Sequence, residues 1–117
     1  MDAVSKLERE HGLQCKLWQE GPRYWVAWAI RRGQVVATAL GDTRRQALRV
    51  LRESLYQRAR LQELADAGYR DRNTGELGPL QVHHRKRRSA GRDDSAENLA
   101  AVSPRTHEAQ HRRGRLP

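Results

Sequence analysis

Apolar positions follow a helical period first, then a strand period, then a helical period again. Across residues 2–11, Val4 and Leu7 share one face and Gly12 ends the run, which predicts a short helix. Leu13-Gln-Cys-Lys-Leu17 alternates apolar and polar residues, as a half-buried strand does. Tyr24-Trp-Val-Ala-Trp-Ala-Ile30 is dense in aromatic and β-branched residues, and Gln34-Val-Val-Ala-Thr-Ala-Leu40 continues the pattern. Turn signals at Gly21-Pro22 and Arg32-Gly33 separate these runs and predict a three-stranded antiparallel meander. One face of such a sheet needs cover. Gly41-Asp42-Thr43 supplies a turn and an N-cap, with Gln46 at the capping-box position. Ala47, Leu48, Leu51, Leu55 and Ala59 then recur at helical spacing, predicting a covering helix to about Asp66 with Gly68 as its stop. Residues 69–79 are polar and rich in turn formers, with a tight turn at Asn73-Thr-Gly75. Beyond them the pattern reads strand, loop, strand, helix. Leu80 and Val82 lead into the first strand, Arg85 to Glu97 form the loop, Asn98-Leu-Ala-Ala-Val102 is the second strand, and Pro104 opens the helix. The expected class is α+β. An α-β-β-β-α module spans 1–68 and a ββα module with a basic tail spans 69–117.

Composition narrows the class of function. A chain of 117 residues suits one compact domain or two small modules. No apolar run approaches the roughly 18 residues of a membrane span, and mean hydropathy is −0.96. MDAVSKLERE lacks a hydrophobic core segment, so no secretory signal is expected. The one cysteine, Cys15, excludes an intramolecular disulfide framework and a cysteine-built zinc knuckle, and a reducing cytoplasm fits best. Lys and Arg number 23 against 14 Asp and Glu, for a net charge of +9. All but Lys6, Lys16 and Lys86 of these cations are arginine. Arginine forks bind phosphate bidentately, so nucleic acid is the leading partner, ahead of an acidic membrane surface or an acidic protein. Arg44, Arg45, Arg49, Arg52, Arg58 and Arg60 lie on the long helix, as either a solvated face or a phosphate contact. Cys15 alternates with Leu13 and Leu17 and reads as packing, not as a nucleophile. His11 reads as a helix-end residue, and Trp18, Trp25 and Trp28 as sheet packing, where an exposed one could stack on a base.

Four of the five histidines fall within residues 83–111. His83 and His84 are adjacent on an expected strand, so their side chains leave opposite faces and can serve different tasks. His107 and His111 stand four apart after Pro104 and share one helix face. A helix packed across the hairpin would bring one of the first pair towards the last two. Three converging imidazoles with open positions form a divalent-metal site. A fourth, off the metal, can serve as a general base, because imidazole titrates near neutrality. The basic run Arg85-Lys86-Arg87-Arg88 would lie beside them and grip a phosphodiester backbone.

These residues carry a resemblance to a known family. Leu80-Gln-Val-His-His-Arg, Arg88-Ser-Ala-Gly-Arg-Asp-Asp, Glu97-Asn98-Leu99 and Pro104-Arg-Thr-His-Glu-Ala-Gln-His111 resemble the HNH endonucleases, which are built on a ββα-metal finger. The likeness covers about residues 78–113, with fourteen residues from His84 to Asn98, nine from Asn98 to His107 and four from His107 to His111. It implies a metal-dependent endonuclease acting on DNA and leaving 5′ phosphate and 3′ hydroxyl ends. It further implies His83 as a metal ligand, His84 as the general base and Asn98 as the brace of the loop that orients the base. His107 and His111 would be the helix-borne ligands. The all-histidine ligand set is most similar to the colicin-type nucleases. The working ion implied is Mg²⁺ or Mn²⁺, while three imidazoles also suit Zn²⁺ or Ni²⁺. One finger offers one active centre, so a monomer should nick a single strand. The other readings are a non-catalytic nucleic-acid-binding protein with a degenerate finger, and an RNA nuclease.

The chain departs from the family's pattern in two places. Ser103 and Thr106 stand where many members carry one of two cysteine pairs, and Gly91-Arg92 stands where a glycine pair is common. Without that zinc knuckle, the finger is expected to need support from the N-terminal module. The α-β-β-β-α order of that module is similar to a double-stranded RNA-binding domain. Leu40-Gly-Asp-Thr-Arg-Arg-Gln-Ala-Leu48 is similar to the last strand-to-helix junction of HicB-like antitoxins.

Overall fold

A computed structural model describes residues 2–86, 88, 91–106 and 108 of the chain. They form an α+β structure in two compact units, Met1–Gln57 and Arg58–Pro117. The division falls within a long helix, upstream of the Gly68 boundary that the sequence pattern suggests.

In the first unit, helix α1 (Ala3–His11) is capped by Asp2, whose carboxylate accepts the Ser5 N–H at 2.7 Å. Gly12 ends it in the left-handed region, with φ 62°. Strands β1 (Gln14–Gly21), β2 (Tyr24–Arg31) and β3 (Gln34–Gly41) then form an antiparallel sheet in the order β1-β2-β3. The meander is the expected one, but β1 starts after Leu13 and runs on past Leu17 to Gly21. Trp18 and Gln19 stay paired with Val26 and Trp25, so pairing with β2 sustains the strand after its apolar alternation has ended. Arg32 and Gly33 both have positive φ, 52° and 75°, as a two-residue hairpin turn between right-twisted strands requires.

Helix α2 (Arg44–Asp66) covers one sheet face as expected. Its Ala47, Leu51 and Leu55 pack with Ala27, Ala29 and Ala39 of the sheet, and with Leu7 and Leu13. Small residues on the sheet let the helix approach closely. At Gly41 a Cβ would lie 2.4 Å from the Ala47 backbone nitrogen, so only glycine fits where β3 passes the start of α2. Thr43 Oγ1 accepts the Gln46 N–H at 3.0 Å, and Gln46 Oε1 accepts the Asp42 N–H at 2.6 Å. The reciprocal cap thus closes one residue further back than the usual capping box. At the other end, Gly68 donates to the Ala65 carbonyl and Tyr69 to the Leu64 carbonyl, a Schellman stop with Gly68 at φ 64°.

The opposite sheet face carries Trp18 and Trp28, edge to face at 4.9 Å. This is the sheet packing expected of them, and Trp25 packs on the covered side. Along the first part of α2, Arg44, Arg45 and Arg49 are exposed, whereas Arg52 lies 3.8 Å from the carboxylate of Glu10. Cys15 packs against the core, and burial, with the negative charge of Glu8, pushes its thiol up to about 11. Iodoacetamide at pH 8 should therefore label the native chain about 10²-fold more slowly than the denatured chain, because the thiolate is the reacting species. Equal rates would place the thiol in water.

In the second unit, the last turns of α2 lead to the Asn73-Thr-Gly75 turn, flanked by a bridge between Arg70 and Leu77. Strand β4 (Gln81–His84) then pairs antiparallel with β5 (Leu99–Val102), setting His83 opposite Ala100 and His84 opposite Leu99. All four residues of β5 are buried. The outward backbone groups of Ala101 are satisfied by neighbours: Glu63 accepts its N–H at 2.7 Å and its carbonyl accepts the Arg72 N–H at 2.9 Å. Arg72 grips the same Glu63 carboxylate through Nε and Nη2, at 3.0 and 2.8 Å. A helix opens at Pro104 as expected, with Ser103 Oγ accepting the Thr106 N–H. Among the described residues, no helix is long and apolar enough to cross a membrane.

Candidate active site

His83 and His84 end β4, and each is 8 % exposed. Burying two consecutive residues on a strand requires cover on both faces of the hairpin. The connection from β4 to β5 folds back as a loop and a 3₁₀ turn, Ala96–Asn98. Asn98 ends that turn and does not begin the strand, contrary to the sequence expectation. Its amide is committed to the loop, where strand geometry would not hold it. Asn98 Oδ1 accepts the Lys86 N–H at 2.8 Å and Nδ2 donates to the Asp93 carbonyl at 2.6 Å. Its main chain also takes part: the Asn98 carbonyl accepts the Arg85 N–H at 2.7 Å, and its N–H reaches the Ser95 carbonyl at 2.9 Å. One buried asparagine thereby fastens both ends of the loop directly behind His84.

His84 meets a partner that the sequence pattern did not single out. Its Nε2 lies 2.6 Å from Asp94 Oδ1, and Asp94 is fully buried. Arg92 Nε in turn donates to both Asp94 oxygens, at 3.1 and 2.9 Å. Burial works to raise the Asp94 carboxyl, but the hydrogen bonds from His84 and Arg92, with the Arg92 charge, outweigh it and hold Asp94 below the usual carboxylate range. Asp94 is thus an anion that only accepts hydrogen bonds. The signal was present in Arg92-Asp93-Asp94. Asp93 accepts the Ser95 N–H at 3.0 Å, and Asp94 neutralises an arginine while meeting a histidine.

A second carboxylate, also unforeseen, organises the opposite end of the hairpin. Asp71 is 2 % exposed and accepts the N–H groups of Asn73 at 2.6 Å, Thr74 at 2.9 Å and Ser103 at 2.7 Å. Burial favours its neutral form, but these donors and the Thr106 hydroxyl outweigh it and hold the carboxyl well below its ordinary value. Ser103 and Thr106, which stand where many HNH proteins carry a cysteine pair, are joined here to the 71–74 turn by hydrogen bonds.

The described part of the site therefore holds His83, His84 and Asn98 on or beside the hairpin. Arg85, Lys86 and Arg88 are exposed beyond β4. His107, His111 and Arg87 lie outside the described residues. Of the three histidines that the family resemblance implies as metal ligands, His83 is the described one, and both of its ring nitrogens are buried. The chain matches no family model, and no curated protein or solved structure is significantly similar to it.

Proposed function

We propose that the chain is a metal-dependent HNH-type endonuclease that hydrolyses DNA phosphodiester bonds and nicks one strand as a monomer. In this reading β4, the fastened loop, β5 and the helix opening at Pro104 form a ββα-metal finger. The observation that carries it is the commitment of Asn98: a buried amide holding both ends of the loop behind a buried His-His pair. Such a brace has a use where one imidazole must keep a fixed position.

His84 takes the proton of a water that attacks the scissile phosphorus in line. Arg85, Lys86, Arg87 and Arg88 hold the phosphodiester backbone without reading bases. His83, His107 and His111 would hold the divalent ion, Mg²⁺ or Mn²⁺ in action, with Zn²⁺ or Ni²⁺ also suited to imidazole. When bound, that ion supplies charge stabilisation to the phosphoryl group and the departing 3′ oxygen. A cytoplasmic setting accords with the single cysteine.

Incubation of the full chain with supercoiled plasmid and Mg²⁺ or Mn²⁺ should give relaxed circles, and a chelator should prevent this. Retardation of DNA without relaxation under any divalent ion would make the chain a binding protein. Cleavage of RNA in preference to DNA would change the substrate.

A further inference from the structure

We propose that Asp94 is a positioning residue that fixes the tautomer of His84, so that Nδ1 is the atom that accepts the proton from water. The inference deepens the nuclease reading and rests on it for its catalytic meaning, but its structural content stands apart. Asp94 is a fully buried carboxylate, 2.6 Å from His84 Nε2 and clasped through both oxygens by Arg92 Nε. A carboxylate can only accept, so the ring proton of a neutral His84 must sit on Nε2 and donate to Oδ1. The lone pair then lies on Nδ1.

Arg92 has the second part. A carboxylate beside a forming imidazolium could take the Nε2 proton and leave a neutral pair. The guanidinium, bonded to both oxygens, keeps Asp94 ionised. When Nδ1 takes a proton from water, the positive charge that forms on the ring faces an anion already in place. The Nε2 proton stays where it is, and no group has to move. Asn98 and Asp94 thus divide the work on one histidine: the amide fixes the loop, and the carboxylate fixes the ring within it.

The test is nitrogen-15 NMR of ring-labelled histidines in the full-length, metal-free chain at pH 8, with the His84 signals assigned by their loss in His84→Gln. The expected result is a protonated Nε2 and a bare Nδ1. In Asp94→Asn the amide can accept from Nε2–H or, turned over, donate to a bare Nε2, so both tautomers should be populated. Plasmid nicking by this variant should fall by about 10²-fold or more in kcat with KM little changed, the range expected when a general base is held wrongly. A merely structural role would leave the tautomer alone. A wild-type ring carrying its proton on Nδ1 overturns the proposal, as does Asp94→Asn nicking at the wild-type rate. Should Asp94→Asn fail to fold, the wild-type tautomer still decides. Should the wild-type chain not nick DNA, the nuclease reading falls, while the tautomer alone continues to test what Asp94 does to His84.

Discussion

His84→Ala should abolish plasmid nicking while leaving divalent-ion affinity nearly intact. The expected loss is about 10²- to 10⁴-fold, the usual contribution of a general base. The reason lies in the division of the pair. His84 is tied through Nε2 to Asp94, which leaves Nδ1 with its one lone pair, and in the proposed reading that atom takes the proton of water and not an ion. His83, its neighbour on β4, takes the ligand role in the proposed reading, as the family resemblance implies. His83→Ala and His107→Ala should therefore weaken metal binding as well as cleavage. Calorimetric titration of Mn²⁺ into each variant, run beside the plasmid assay, separates the two effects. If His84→Ala lost the ion and His83→Ala kept it, the roles would be reversed.

The sequence was legible where one residue type has one physical use. Gly12 and Gly68 end helices in the left-handed region, Arg32-Gly33 turns a hairpin, and Thr43 with Gln46 starts α2. All of these are local, set by residues within a turn of one another. The covering helix was legible too, because its apolar positions recur at a period the sheet does not share. The length of β1 was not, since cross-strand pairing sustains it beyond its apolar alternation. In the candidate site, the loop brace at Asn98 follows from family resemblance and has a geometric counterpart in its four hydrogen-bonded groups. The carboxylates Asp71 and Glu63 were beyond reach for a different reason. In a chain with 23 cationic residues, any acid has many candidate partners. Which one is buried against which donor depends on contacts far apart in sequence, such as Glu63 with the Ala101 N–H.

Asp71→Ala should destabilise the second unit by about 3 kcal/mol, because it strands backbone N–H groups of Asn73, Thr74 and Ser103 that have their acceptor in one buried carboxylate. The loss reaches both the 71–74 turn and the start of the helix at Pro104, since Ser103 is the N-cap of that helix. Asp71→Asn should lose less, because the amide keeps one acceptor oxygen, and it removes the dependence on pH at this position. The sign follows from the depressed carboxyl. Its folded value lies well below the ordinary 3.8, so the stabilisation is complete above about pH 5 and is lost as pH falls below that ordinary value towards the folded one. Urea unfolding of the wild type and Asp71→Asn at a series of pH values isolates this term, because the other carboxylates are common to both. The stability difference should be largest at neutral pH and shrink steadily between about pH 4 and pH 2. A difference that stays constant across that interval would mean that the Asp71 charge contributes nothing. The anchorage would then lie in the shape of the 71–74 turn, and the hydrogen bonds to Ser103 and Thr106 would not be what sets the helix.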